Sequence, residues 1–159
     1  MDAKEHEQQH SPYMRFGAMV LVSTVVMFGL MYLNTFELDH VFFSQTRAWM
    51  AMVMGAAMAI VMLGFMTHML RSTGANIGIL VTSALLFAGS LWLVRSQATV
   101  DDVSYMRAMI PHHSIAILTS TRAHIQDERV RRLADGIAQT QKKEIAEMRA
   151  LIEELTAKR

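Results

Sequence analysis

Residues 48–67 read AWMAMVMGAAMAIVMLGFMT, a run with no charged side chain. About 20 apolar residues in a helix rising 1.5 Å per residue cover the hydrocarbon core of a bilayer. Two further uncharged runs flank this one: Phe16 to Phe36, between Arg15 and Glu37, and Ser72 to Val94, between Arg71 and Arg95. Three runs predict three transmembrane helices. Tyr13, Tyr32, Trp49 and Trp92 sit at their ends, where amphipathic rings favour the headgroup layer. The first run is too long for a removable signal peptide and lacks a small-residue cleavage site, so it reads as a permanent anchor. The connections, Asn34 to Thr46 and His68 to Asn76 with Gly74 as a turn residue, leave no room for a domain between spans.

The composition agrees. Of 159 residues, 52% are hydrophobic and only 18% charged, and the mean hydropathy of +0.24 suits a membrane protein better than a soluble domain. Ten of the 15 Lys and Arg and nine of the 14 Asp and Glu lie from Thr99 onward. A net charge of +1 without a long basic block leaves no footprint for nucleic acid. The absence of cysteine excludes disulfides, thiolate metal sites and thiol nucleophiles. Fifteen methionines are the oddity to be explained.

The chain divides into a polar leader over 1–14, a three-helix transmembrane domain over 15–95 and a helical hairpin over 99–159. In the hairpin, Thr99 or Asp101 caps a helix that runs to about Ile125, with Asp101 and Asp102 at its positive end. Asp127 caps a second helix reaching about Leu155, with Val130, Leu133, Ile137, Ile145, Met148, Ile152 and Leu155 on one face. The fold class is all-α. With three spans, the first loop shares a side with the tail. Lys4, Arg15 and Arg71 on one side balance Arg47, Arg95 and Arg107 on the other, so the positive-inside count is a tie. The acidic residues Glu37 and Asp39 incline the reading to an external tail.

Three motifs carry candidate chemistry. His6-Glu7-Gln8-Gln9-His10 matches the HExxH pattern of zinc peptidases, but it sits in the polar leader with no third ligand in view and reads as coincidence. Met50, Met54, Met58, Met62, Met66 and Met69 draw a stripe along the second span; thioethers pass soft ions, yet methionine is also an adaptable packing residue, and packing is the preferred reading. Ala51, Gly55 and Ala59 beside it form a small-xxx-small series for close helix packing. The third motif is Tyr105-Met106-Arg107-Ala108-Met109-Ile110-Pro111-His112-His113, where a proline interrupts the backbone bonding and kinks the helix. Met106, Met109 and His113 share a face, and His112 points about 100° away. A hairpin turning at Gln126-Asp127 sets Met106 opposite Met148, Met109 opposite Glu144 and His113 opposite Gln141. That cross-section gathers thioether, imidazole, carboxamide and carboxylate groups. The alternative is a plain helical seam with methionine as filler.

Met109-Ile110-Pro111-His112-His113, then Ala116-Ile117, Leu133-Ala134 and Gln141-Lys142-Lys143-Glu144-Ile145-Ala146-Glu147-Met148, resembles the signature of the family known as domain of unknown function 305, over about Val100 to Leu155. The resemblance implies a ferritin-like helical bundle and, from periplasmic members that bind copper or silver, a role in copper handling by a membrane-anchored relative. It implies Met106, Met109, His112, His113 and Met148 as metal-handling residues, to which the hairpin pairing adds Glu144 and Gln141. Members often carry methionine where this chain has Thr119, which removes one soft donor. Together these give Cu(I) or Ag(I) capture or hand-over without catalysis, in a bacterial cytoplasmic membrane with a periplasmic hairpin, and a copper-handling protein as possible partner. Two helices in about 60 residues make a marginal core, so the hairpin is expected to form a homodimer that completes a four-helix bundle. A structural module that oligomerises or docks a partner without metal is the alternative. A hydrolase with His113 as base and Glu144 as its orienter has no nucleophile in the cluster beyond Ser114.

Overall fold

The computed structural model describes the backbone of residues 3–158 and the side chains of residues 12–158. Among the described residues the protein is all-helical: α1 (Ala3–Leu30), α2 (Gln45–Met66), α3 (Thr73–Ser96), α4 (Asp102–Arg122) and α5 (Glu128–Ala157), with a short 3-10 turn at Leu38–His40. The chain forms two compact units. One takes the residues up to Leu30 together with Ala48–Ala98; the other joins Met31–Arg47 to the segment from Thr99 onward.

In the apolar unit, three helices are long and apolar enough to cross a membrane: Pro12–Leu30, Gln45–Met66 and Thr73–Ser96. The first departs from the expected Phe16–Phe36. It starts inside the leader and stops at Leu30, because an uncharged run marks where charge is missing, not where the helix must end. Residues 31–34 form turns. The helix also passes through Pro12, at the cost of one backbone donor. His6 and His10 lie on this helix by backbone, and their side chains fall outside the described residues.

Small residues set the packing of this unit. Ala51, Gly55, Ala56 and Ala59 are buried on α2, and a Cβ added at Gly55 would collide with the Thr24 hydroxyl of α1. The Ala51, Gly55, Ala59 series is therefore the face on which α1 closes. Met62 and Met66 pack at the edge of a cluster of Phe16, Ala59, Leu63 and Leu70, while Met50 is exposed, which is the distribution of a packing stripe. The Tyr13 hydroxyl accepts from the Ser72 amide (3.0 Å) and donates to Asn76 Oδ1 (2.9 Å), tying α1 to the start of α3. Ser72 is the N-cap of α3, so Gly74 lies in its first turn and not in a loop.

The second unit is built on the hairpin. Asp101 accepts from the Ser104 amide at 2.8 Å, and Asp127 from Arg129 at 2.8 Å and Val130 at 3.4 Å, so both acidic caps form. Arg131 donates to the Ser120 carbonyl and pairs with Asp135 at 2.7 Å, closing the turn. The core holds Val103, Met106, Ile110, Ile117, Ile145 and Ile152, with Phe36, Phe42, Met148 and Leu155 packed against it. Two of those side chains come from the first loop. Ser114, fully buried, accepts from the Phe36 amide at 2.6 Å and lies 2.9 Å from His40 Nδ1. Arg149 meets Asp39 Oδ2 at 2.7 Å. Its hydrogen bond is the main cause holding the Asp39 carboxyl below the ordinary carboxylate range. Residues 31–47 thus act as a third element of the hairpin's core, where the sequence reading had only a connector.

The face of α5 also differs from expectation. Ala134, Ala138, Ile145 and Ile152 are buried, whereas Val130, Leu133 and Ile137 are exposed. α4 ends at Arg122, short of Ile125, and the alanines let it approach a neighbouring stripe of α5. α4 continues through Pro111.

Replacing Gly55 by Leu should destabilise the protein by about 1 to 3 kcal/mol through forced separation of α1 and α2. Gly64→Leu, where an added Cβ meets nothing within 4 Å, should be neutral or stabilising in helix propensity. Thermal unfolding of both variants in the same detergent checks the contrast.

Candidate functional site

α4 and α5 together enclose an open groove of about 610 Å³, lined by Asp102, Tyr105, Met106 and His113 from the first helix and Glu144, Glu147, Met148, Leu151 and Leu155 from the second. The i, i+7 spacing of Met106 and His113 puts both on the same side of α4, and the i, i+4 spacing of Glu144 and Met148 does so on α5. Of the seven residues singled out by sequence, these four share the groove. Gln141 reaches it indirectly, with its Nε2 donating to Glu144 Oε2 at 3.3 Å. Met109 is half-buried and His112 exposed, and neither is among the lining side chains; the His112 and His113 rings lie 6.1 Å apart and tilted by 59°.

The pairing across the hairpin is offset from the expected one. His113 Nδ1 lies 3.4 Å from Glu144 Oε2, about one turn along α5 from the expected Gln141. The connection at 123–127 is an extended segment beginning at Ala123, not a tight turn at Gln126-Asp127, so counting outward from a turn misplaces the register. The 3.4 Å approach lacks hydrogen-bond geometry, and His113 Nδ1 is buried without a hydrogen-bond partner. Burial is the main cause pushing the His113 pKa below its ordinary 6.5; Glu144 opposes this and His112 adds to it. At neutral pH the ring is therefore uncharged, with a lone pair available on whichever nitrogen does not carry the proton.

A borderline or soft cation fits this donor set. Two thioethers and a neutral imidazole are the donors that soft ions accept, and Glu144, with Asp102 and Glu147 on the groove wall, supplies negative charge. A buried imidazole nitrogen without a partner is costly, and a bound ion would satisfy it.

A second cluster escaped the sequence reading. Ligand atoms of Glu37, Asp39 and His40 lie within 4.8 Å of one another, with His40 Nε2 at 3.6 Å from Glu37 Oε2 and 3.9 Å from Asp39 Oδ1. The only signal in sequence was the close spacing of Glu37, Asp39 and His40, of which the two acidic residues alone served there, as a topology argument. Asp39 is already engaged by Arg149, and the other nitrogen of His40 by Ser114. Ser114, the one nucleophile the hydrolase alternative could name, accepts from the Phe36 amide and faces His40 Nδ1.

Comparison with known proteins fits this part of the chain best. Residues 102–159 match the model of the family described as Domain of unknown function (DUF305). Those residues contain α4, α5 and the whole groove. The chain is also similar to the uncharacterized protein L153 of Acanthamoeba polyphaga mimivirus, with 28% identity over 144 residues, covering 86% of this chain and 93% of that one. That likeness extends well beyond the hairpin into the apolar helices. No solved structure matches.

The lowered pKa of His113 sets a sign for stability. The unfolded chain binds its proton near pH 6.5 and the folded one only at lower pH, so protonation favours unfolding. This contribution should be complete above about pH 6.5 and be lost as pH falls toward the folded pKa. A ring-proton NMR titration should give His113 a midpoint below that of a model histidine, and Glu144→Gln should lower it further, because the carboxylate is the group that raises it. A midpoint that rises in Glu144→Gln would contradict this account.

Proposed function

We propose that the protein is a membrane-anchored binder of soft monovalent metal ions, Cu(I) or Ag(I), which it captures or hands over in copper homeostasis or resistance. The supporting observation is the buried, unpartnered His113 Nδ1 in a groove that also holds Met106, Met148 and Glu144. In this reading Met106, His113 and Met148 hold the ion and Glu144 balances its charge. Met109 and the exposed His112 serve as outer donors on the adjacent turn of α4, and Gln141 positions Glu144. The ion is cargo and undergoes no chemistry. A cysteine-free donor set suits an oxidising compartment, where thiols are consumed.

The same reading places α1, α2 and α3 across a bacterial cytoplasmic membrane, with the hairpin on the periplasmic side and a copper-handling protein as recipient or donor. Odd span number puts the first loop and the tail on one side, and that loop packs into the tail unit, as this topology requires. A reporter that functions only after export should be active when fused after the C-terminus and silent at the N-terminus; the reverse pattern would move the metal reading to the cytosol.

Replacing Met106 and Met148 together by Leu conserves volume and should cost less than about 1.5 kcal/mol per site. Ag(I) affinity should nevertheless fall at least about tenfold, equivalent to about 1.4 kcal/mol. Titration of detergent-purified parent and variant with Cu(I), Ag(I), Cu(II) and Zn(II) checks both the thioether role and the preference for soft ions. Equal Ag(I) affinity in the two proteins would make the methionines packing residues and favour the structural-module alternative.

A further inference from the structure

The first loop carries donors that the groove does not use. Residues 38–40 form one 3-10 turn, in which the His40 amide donates to the Glu37 carbonyl at 3.2 Å and the Val41 amide to the Leu38 carbonyl at 3.1 Å. Three residues per turn bring side chains i and i+3 over one another, so Glu37 and His40 meet, and Asp39 joins them. His40 is only 7% exposed, yet among the described residues its Nε2 makes no hydrogen bond. Its oxygen neighbours, Glu37 Oε2 at 3.6 Å and Asp39 Oδ1 at 3.9 Å, are beyond bonding reach. They are close to the separation of donors around an ion. A four-coordinate divalent cation with bonds of about 2.0 to 2.2 Å holds its ligands roughly 3.3 Å apart. The Glu37 and Asp39 side chains, 54% and 58% exposed, are free to close the difference.

The other polar atoms of two of these ligands are already held. His40 Nδ1 lies 2.9 Å from Ser114 Oγ. That oxygen has two lone pairs and can take an Nδ1–H beside the Phe36 amide, which leaves the Nε2 lone pair facing the carboxylates. Asp39 Oδ2 pairs with Arg149 at 2.7 Å, and Arg149 also donates to the Asp39 carbonyl at 2.6 Å, so Oδ1 is the oxygen left for the cluster. Outer partners of this kind fix the tautomer of a metal-binding imidazole and the orientation of a metal-binding carboxylate. Arg149 offsets one carboxylate charge. Lys142, the other cation on the adjoining cleft of about 310 Å³, lies over the Phe36 ring at 5.9 Å, and the charge of Glu37 is left for a cation.

We propose that Glu37, Asp39 and His40 form a second metal site, for a borderline divalent cation of the Zn(II) type, with water in the open fourth position. One imidazole and two carboxylates suit such an ion, and without a thioether they give Cu(I) or Ag(I) no advantage. The site differs from the groove in place and in donors, and it stands whether or not the groove takes a soft ion. A cation held there fastens the first loop to α4 through Ser114 and to α5 through Arg149, so loading stiffens the unit on which the groove is built.

The test is a titration of the full chain in detergent with Zn(II) alone, followed by the ring-proton NMR signals of His40, which report on this site whatever the other histidines bind. Glu37→Gln keeps the shape of an exposed side chain and leaves the contacts of His40 with Ser114 and of Asp39 with Arg149 in place. In the parent, Zn(II) should shift the His40 signals. In Glu37→Gln, with circular dichroism unchanged, the midpoint should move to at least about tenfold higher Zn(II), while Ag(I) affinity stays within about twofold of the parent. His40 signals that do not respond to Zn(II), or that respond at the same concentration in both proteins, would overturn the site. A loss of Ag(I) affinity in Glu37→Gln matching the loss for Zn(II) would overturn its separateness from the groove.

Discussion

One buried hydroxyl holds the second unit together. Ser114 sits at the middle of α4 with no exposed surface, and its oxygen takes the Phe36 amide and faces the His40 ring. An unsatisfied hydroxyl at that depth would be costly, so α4 and residues 31–47 are bound to each other by mutual need. That contact brings Phe36 and Phe42 onto Ile110, Ile117 and Ile145 and positions Asp39 for Arg149. With the inner stripe of α5 thereby occupied, the other side of the hairpin is left as the open groove. The site exists where it does because the loop has filled the opposite face.

Much of the architecture was legible because membrane burial and capping leave strong local signals. Uncharged runs of bilayer length identified three helices, and Asp101 and Asp127 located the starts of α4 and α5. What was missed depends on contacts between distant segments. The end of α1 at Leu30 is invisible in a run whose charges resume only at Glu37. The burial of Ala134 and Ala138 in place of Leu133 and Ile137 follows from which side of α5 the neighbouring elements reach, and no hydrophobic pattern encodes that choice when both stripes are apolar. Phe36 read as the end of the first uncharged run and Phe42 fell inside a connector, because nothing in their neighbourhood announces a core about 70 residues later.

The candidate site was read through side-chain chemistry more successfully than through register. Met106, His113, Glu144 and Met148 are close in space because each lies on the groove side of its helix, a property that periodicity captures. The specific approach of His113 to Glu144 depends on the extended segment at 123–127, whose path is set by Arg131 reaching the Ser120 carbonyl. Met109 illustrates the limit. It lies one turn from His113 as periodicity requires, yet it does not line the groove, while its neighbour Ile110 and Ser114 are fully buried in the core.

The interleaving of the two units also constrains the order in which the protein can be made. Residues 31–47 emerge from the ribosome before α2 is complete, but their packing partners begin at Thr99, about 50 residues later. At a synthesis rate of about 5 to 20 residues per second, Phe36 and Phe42 wait several seconds without a core, while α2 and α3 are still being inserted. The tail unit is therefore assembled last and all at once, as α4 and α5 arrive at a loop that has been waiting for them.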